Sequence, residues 1–108
     1  MILISYMKHS LETYNLFFGS LSNPNRLKIL NVLRNKNLNV GEICNYTKFE
    51  QTMVSHNLKR LERCGMVFSE QKGKQRYYSL NKKTIKPLMK LIDEHMGIYC
   101  VHLIGRKI

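Results

Sequence analysis

Acidic residues are scarce in this chain of 108 residues, which contains 7 Asp and Glu against 18 Lys and Arg. The resulting net charge of +11 favours a polyanionic partner, with nucleic acid first and an anionic membrane second. No apolar run approaches the roughly 20 residues of a spanning helix, and the opening MILIS is too short for a signal-peptide core. We therefore expect a cytoplasmic protein without membrane association.

Closely spaced cysteine pairs are also absent. The three cysteines, Cys44, Cys64 and Cys100, show no CxxC spacing and suit a reducing compartment rather than a disulfide scaffold. There is no Gly-rich phosphate loop, no nucleophile with an evident base and few carboxylates, so an enzyme is not expected. The length predicts one domain, residues 1–108, with a modest core.

The centre of the chain predicts two helices joined by a short turn. Residues 40–46 have the pattern of a short helix, and residues 47–50 form a tight connection. The second helix follows and stops at Gly65, a residue suited to the left-handed conformation that ends many helices. Together these elements make a helix-turn-helix over about residues 40–64.

The second of these helices has two different faces. Val54, Leu58 and Leu61 fall at spacings of four and three and form one apolar stripe. The opposite face carries Thr52, Ser55, His56, Lys59, Arg60 and Arg63. Polar side chains on such a face can hydrogen-bond to base edges in the major groove, while cationic side chains contact phosphates. A solvated surface helix shows the same pattern.

A basic β-hairpin follows over about residues 66–80. The apolar period changes there from 3.6 to 2, and the two strands meet at a turn around Gly73. Lys72, Lys74 and Arg76 lie at its tip, which predicts the wing of a winged helix. Residues 48–83 contain nine Lys or Arg against three Glu, so over half of the net charge lies where this fold would meet DNA.

The two ends of the chain predict helices with surplus apolar surface, over about residues 5–20 and 84–104. Such faces fit a two-fold homodimer interface. Thr84 can cap the last helix, and Gly97 can permit close approach or a bend. A further helix, capped by Asn23 and with Pro24 at its first position, is placed at the centre of the core. The predicted fold is mainly α with a small β-hairpin (α+β).

The order of elements resembles the ArsR/SmtB family of winged-helix repressors. Four segments resemble the family pattern in register between about residues 21 and 80: LSNPNRLKIL, VGEI, QTMVSHNLKRLERCGMV and GKQRYYSL. Three departures are clear. Asn23 replaces the family's usual Asp, which an N-cap tolerates. Lys48 stands where the turn usually has Gly, and Glu50 where a Ser usually caps the recognition helix. Because Glu is the weaker cap, a helix start displaced by one residue is an open alternative.

The resemblance implies a homodimeric, sequence-specific protein that binds an inverted-repeat operator in double-stranded DNA and leaves it when an effector binds. By carry-over, bases would be approached by Gln51, Thr52, Ser55 and His56, phosphates by Lys59, Arg60 and Arg63, and the backbone or minor groove by Lys72, Lys74 and Arg76. Each cation could instead be a solvated charge, and His56 a packing residue beside the turn. Repression and activation both stay open.

A divalent metal is one possible effector. Family members that sense thiophilic metals use a Cys-x-Cys pair in the third helix, where this chain has Asn39 and Gly41, so that site is expected to be absent. A second family site begins with Asp-x-His, which Asp93 and His95 match. His102 lies on the stripe of His95, away from Asp93, so only an arrangement bridging two subunits could hold an ion.

Other possibilities follow from the same residues. A thiol switch would use two of Cys44, Cys64 and Cys100, which lie on three different predicted elements, although Cys44 faces the apolar side and suits packing. A DNA-binding protein that senses nothing is another alternative. A winged-helix module that binds RNA or protein is the last, and the basic wing argues against a protein partner but not against RNA.

Overall fold

A computed structural model describes residues 2–100 and 102–103, with side chains described from residue 11 onwards. The helices are α1 (Ile2–Leu21), α2 (Pro24–Val32), α3 (Val40–Thr47), α4 (Gln51–Arg63) and α5 (Ile85–His95). The strands are β1 (Leu38–Asn39), β2 (Val67–Lys72) and β3 (Gln75–Leu80). A π-helical turn, Met96–Cys100, continues α5. The predicted helix-turn-helix is thus α3 and α4, and the predicted wing is β2 and β3.

The sheet has three antiparallel strands in the order β1-β3-β2, rather than the two strands of a hairpin alone. The mainly polar composition of residues 35–39 predicts a turn, but the last two of these residues form the strand β1. Leu38 is only 2% exposed and pairs with Tyr78 of β3, so burial of one apolar side chain draws this segment into the sheet. A strand of two residues is too short to show a period in the sequence.

The hydrophobic core lies between α2, α3, α4 and the sheet. Its fully or nearly buried members are Ile29, Leu30, Leu33, Leu38, Ile43, Val54, Leu58, Leu61, Met66, Val67, Leu80 and Ile85. The central position predicted for α2 is confirmed, since Ile29 and Leu30 are completely buried. Leu27, also on α2, is 41% exposed, because it faces a groove of about 620 Å³ between α1, α2 and α5.

The helix starts follow the expected caps in one of two cases. Asn23 Oδ1 accepts hydrogen bonds from the Asn25 and Arg26 amides at 2.9 and 3.0 Å, and Pro24 begins α2 as predicted. Thr84 makes no side-chain cap to α5, so that prediction was wrong. Asn81 instead stabilises the turn that precedes α5, because its Oδ1 accepts from the Lys83 and Thr84 amides at 3.0 and 3.3 Å.

The last predicted helix, about residues 84–104, is not one regular α-helix. It changes to π-helical hydrogen bonding after His95, in the turn that contains Gly97. Short π-helical turns are frequent at functional sites. Gly97 is also a poor helix former, which weakens the regular α-helical pattern here. Among residues 2–100 and 102–103, none of the helices combines the length and the apolar content that crossing a bilayer requires.

Candidate nucleic-acid interface

The candidate recognition helix α4 begins at Gln51, the predicted first residue, although its cap is weak. Glu50 occupies the cap position without a side-chain hydrogen bond, while its carbonyl accepts from the Val54 amide at 3.0 Å. The alternative of a displaced start is therefore not needed. At the other end Gly65 takes a φ of +72°, which confirms the predicted left-handed stop.

The turn before α4 depends on an unusual backbone conformation at Lys48. This residue has a φ of 66° and a ψ of 21°, the left-handed region that an L-residue with a side chain enters at a cost of roughly 1–2 kcal/mol. That conformation gives a physical reason why glycine suits this position. Thr47 supports the turn, since its buried hydroxyl donates to the Ile43 carbonyl at 2.8 Å and accepts from the Phe49 amide at 3.2 Å.

The outward face of α4 has the predicted composition. Gln51, Thr52, His56, Lys59 and Arg63 are exposed and Ser55 is half-buried. The exposure of His56 removes the alternative that it packs beside the turn. Behind this face Val54, Leu58 and Leu61 are completely buried, which confirms the predicted apolar stripe.

Arg60 differs from the other cations of α4. It is half-buried, and its Nε donates to the hydroxyl of Ser20 at 3.4 Å. Ser20 is completely buried at the end of α1 and also lies 3.4 Å from the Cys64 sulfur. Arg60 therefore joins α4 to α1, and its predicted phosphate contact stays a prediction.

A hydrogen-bonded pair that the sequence did not single out, Arg26 and Asn57, fixes α4 against α2. Arg26 Nη1 donates to Asn57 Oδ1 at 3.2 Å, and the 8% exposed Asn57 donates from Nδ2 to the Met53 carbonyl at 3.0 Å. Arg26 also donates from Nε and Nη2 to the Ser20 and Gly19 carbonyls, at 2.9 and 3.2 Å. The pair therefore connects α1, α2 and α4.

The position of Arg26 also changes its acid–base behaviour. Burial lowers the pKa of the Arg26 guanidinium below its usual value, the neighbouring Arg60 charge lowers that pKa further, and Cys64 opposes them.

One sequence feature could have pointed to Asn57, namely that it is a polar residue within the apolar stripe of α4. Its partner, 31 residues away, could not be found from spacing.

The wing is a tight hairpin with a basic tip. Lys72 pairs with Gln75, so the loop has two residues, and Gly73 at its first position takes a φ of +63°. Lys72 and Lys74 are exposed there. The tip therefore projects the ammonium groups of Lys72 and Lys74, two of the three cations predicted there.

Arg76 lies further from the tip and connects the wing to α4. Its Nη1 donates to the Ser69 hydroxyl at 2.8 Å, and that hydroxyl donates to Glu62 Oε2 at 2.7 Å. Burial raises the pKa of the neighbouring Tyr78 above its usual value, Glu62 adds to the increase, and Arg76 opposes it. The wing and the recognition helix are thus held together by side chains as well as by the core.

Comparison with known proteins places this geometry in a family. The family model described as bacterial regulatory protein, arsR family, matches residues 23–69, from the cap of α2 into β2. The transcriptional repressor SdpR of Bacillus subtilis is 31% identical over 72 residues, which cover 67% of this chain and 80% of that protein. The chain belongs to the ArsR family. The winged helix-turn-helix fold and the resemblance found in the sequence are both confirmed.

Two further proteins extend the comparison. A cadmium resistance transcriptional regulatory protein, CadC of Lactococcus lactis, is 38% identical over 76 residues, or 69% of this chain and 64% of that protein. The homodimeric winged helix-turn-helix domain of Mb0332 from Mycobacterium bovis, described as a possible ArsR-family regulator, superposes with a TM-score of 0.77. It is 26% identical and covers 87% of this chain and 91% of that one.

The metal candidates of this ArsR-family chain are not brought together within one subunit. Asp93 Oδ2 forms an ion pair with Arg34 at 2.6 Å, and the His95 ring lies 4.9 Å from the Tyr99 ring. His102 is exposed. In the part of the chain that the structure describes, no three His, Cys, Asp or Glu side chains form a group that could hold a metal ion.

Neither position of the family's third-helix metal site carries a metal-binding side chain in this chain. Asn39 caps α3, with its Oδ1 accepting from the Glu42 amide at 2.8 Å while Glu42 Oε1 accepts from the Asn39 amide at 3.0 Å. Gly41 is exposed.

All three cysteines are free: Cys44 and Cys100 are half-buried and Cys64 is exposed. Cys44 packs against the core, as predicted.

Proposed function

We propose that this ArsR-family regulator binds an inverted-repeat operator in duplex DNA as a homodimer, with α4 in the major groove and the wing beside it. The supporting observation is the outward face of α4, where exposed polar and cationic side chains lie over a completely buried apolar stripe. The exposed lysines of the wing tip extend this basic surface. Repression is the function printed for SdpR and is proposed here for this chain.

The residues divide by the chemistry that each can offer to DNA. Amide, hydroxyl and imidazole groups at the start of α4 can hydrogen-bond to base edges: Gln51, Thr52, Ser55 and His56. Cationic groups can contact phosphates or the adjacent minor groove: Lys59, Arg60, Arg63, Lys72, Lys74 and Arg76. Arg60 and Arg76 have intramolecular partners as well, so their contacts would be shared between protein and DNA.

The proposed dimer rests on exposed apolar side chains at the two ends of the described chain. On α1 these are Leu11, Tyr14, Leu16 and Phe18, and towards the C terminus they are Leu91, Ile92, Met96, Ile98, Tyr99 and Leu103. Large exposed apolar side chains in this number favour an interaction site. A second copy that pairs α1 and α5 with their equivalents would cover both sets, and the homodimeric Mb0332 domain has the same fold.

The proposed effector route passes through α5 rather than α3. The α3 positions Asn39 and Gly41 offer no thiolate pair, whereas Asp93 and His95 lie on or beside the proposed dimer surface. A metal that bound Asp93 would compete with Arg34, and so would change the contact between α5 and α2. A divalent metal is therefore proposed as an effector only if ligands from two subunits complete its site.

The proposal is tested by selecting bound duplexes from a random library and measuring affinity as a function of salt. Half-sites should recur as an inverted repeat about 34 Å apart, and contacts with four or five phosphates per subunit should give a log–log salt slope of about −8. Sedimentation should show twice the 12.8 kDa chain mass. Equal affinity for random duplex, or tighter binding to double-stranded RNA, would contradict the operator proposal.

A further inference from the structure

A second cationic surface lies beyond the C-terminal end of α2 and around the start of α5, and it includes no residue of the recognition helix. Two adjoining cavities of about 680 and 240 Å³ share Arg34, Asn35, Lys82 and Lys86 in their linings. The basic residues that line one or both cavities, named here the α2–α5 cluster, are Arg34, Lys36, Lys82, Lys86 and Lys90. Neither lining includes an Asp or Glu among the residues that the structure describes.

The α2–α5 cluster is separate from the DNA-binding surface. Arg34 and Lys36 lie in the segment between α2 and β1, and Lys82 lies in the turn before α5. No described lining residue of the two cavities belongs to α4 or to the wing tip. Lys82, counted in the sequence among the charges that would meet DNA, therefore belongs to a separate surface.

Charge in the α2–α5 cluster opposes the stability of the isolated chain. Lys86 and Lys90 are one helical turn apart on α5, a spacing at which like charges repel. Lys86 lies in the first turn of α5, where the helix dipole disfavours cations, and that turn contains no acidic residue. Within the described residues, Lys82, Lys86 and Lys90 have no ion pair. A bound anion would relieve all of these repulsions.

The other two members of the cluster have partners within the chain. Arg34 is paired with Asp93 at 2.6 Å, and Lys36 Nζ donates to the Tyr46 hydroxyl at 3.2 Å. Both cations also line the cavities, Arg34 both of them and Lys36 the smaller one. Asn31 and Asn35 add amide groups that can donate to oxygen.

We propose that the α2–α5 cluster binds a compact polyphosphate group, carried by a nucleotide or by an inorganic polyphosphate. Several lysines around one cavity provide charge without demanding a fixed geometry, which suits phosphate oxygens. The larger cavity, of about 680 Å³, lies in the range of small-molecule sites, about 300–1,000 Å³. A cavity of this size admits a small flexible anion more readily than a rigid duplex. This inference does not depend on the proposed operator binding.

The test compares two variants that each remove three positive charges per chain. The cluster variant is Lys82→Gln with Lys86→Gln and Lys90→Gln, and the DNA-face variant is Lys59→Gln with Lys72→Gln and Lys74→Gln. Tripolyphosphate and ATP are titrated calorimetrically into each protein, without DNA, at a constant ionic strength of about 0.15 M and with sulfate as the control anion. The thermal midpoint of the unliganded cluster variant should equal or exceed that of the wild type, because repulsion is relieved.

Both ligands should bind the wild type more tightly than sulfate does. The cluster variant should lose about tenfold or more in affinity and the DNA-face variant less than about twofold. Equal affinity for ATP and tripolyphosphate would assign recognition to the phosphates alone, and tighter ATP binding would identify a nucleotide ligand. Equal losses in the two variants, a loss confined to the DNA-face variant, or no binding to the wild type would overturn the proposal.

Discussion

Large apolar side chains are buried in the middle of the molecule and exposed at its two ends. Between α2 and β3, the stripe of α4 and the facing residues of α2 and β2 are almost completely buried within one chain. On α1 and after the middle of α5, large apolar side chains are exposed, with Leu91 and Ile98 at 62% and 66%. The DNA-binding unit is thus complete in one subunit, whereas the ends are not.

The largest effect is expected in the middle of the molecule. Leu58→Ala removes a completely buried side chain and should lower the free energy of unfolding by about 2–5 kcal/mol. The matched change Leu91→Ala, on an exposed residue, should lower it by less than about 0.5 kcal/mol per monomer. Urea unfolding at low protein concentration measures both. Equal losses would show that the ends are as well packed as the middle.

A second prediction concerns the hydrogen-bonded pair behind α4. Asn57→Ala leaves the Arg26 Nη1 donor without its 3.2 Å partner and should cost about 1–3 kcal/mol of stability. The exposed Asn45→Ala provides the control and should change stability little. The two variants are compared by denaturant midpoint. A neutral Asn57→Ala would mean that α4 is held by apolar packing alone.

Charge placed on the exposed ends should break the proposed dimer without unfolding the subunit. Tyr14→Asp together with Tyr99→Asp should weaken dimerisation about tenfold or more, because both charges would be buried in the interface. Phe68→Asp, a control on the 52% exposed aromatic of β2, should leave the dimer intact. Sedimentation equilibrium and circular dichroism test this together. An unchanged dimer would mean that the subunits pair through another surface.

The smallest effect is expected in the turn before α4. Lys48→Gly relieves the left-handed conformation at a φ of 66° and should raise stability by about 0.5–1 kcal/mol, after the greater chain entropy of glycine is subtracted. Lys74→Gly, at a wing position without a positive φ, should lower stability slightly. Thermal midpoints of the two variants should therefore move in opposite directions. A lower midpoint for Lys48→Gly would show that the lysine side chain stabilises the turn.

Elements with a periodic apolar pattern in the sequence could be predicted. Features that depend on contacts between residues far apart in the sequence could not. The apolar period located α4 and its buried stripe, and the pattern of alternation located β2 and β3. The two-residue strand β1 is too short to show a period, and it forms only because Leu38 pairs with Tyr78, 40 positions away. The side chain that stabilises the entry to α5 is Asn81 rather than Thr84, a choice that local spacing left open.

The candidate site divides in the same way. The outward residues of α4 and the wing lysines follow from helical and strand geometry, and their exposure agrees with the prediction. The contacts of Arg60 with Ser20 and of Arg76 with Ser69 depend on how α1 and the wing pack, which spacing does not determine. The α2–α5 cluster was missed because its cations come from two separate segments.

The most direct test of the account separates sequence discrimination from affinity on the DNA-binding surface. Fluorescence anisotropy with the selected operator and a random duplex, over a series of salt concentrations, compares Ser55→Ala and His56→Ala with Lys72→Ala. Each α4 variant should reduce discrimination by about 1–3 kcal/mol. Lys72→Ala should weaken both duplexes nearly equally and flatten the salt slope by about one per subunit. Loss of discrimination in Lys72→Ala, with uniform weakening in the α4 variants, would contradict the proposed docking of α4 in the major groove.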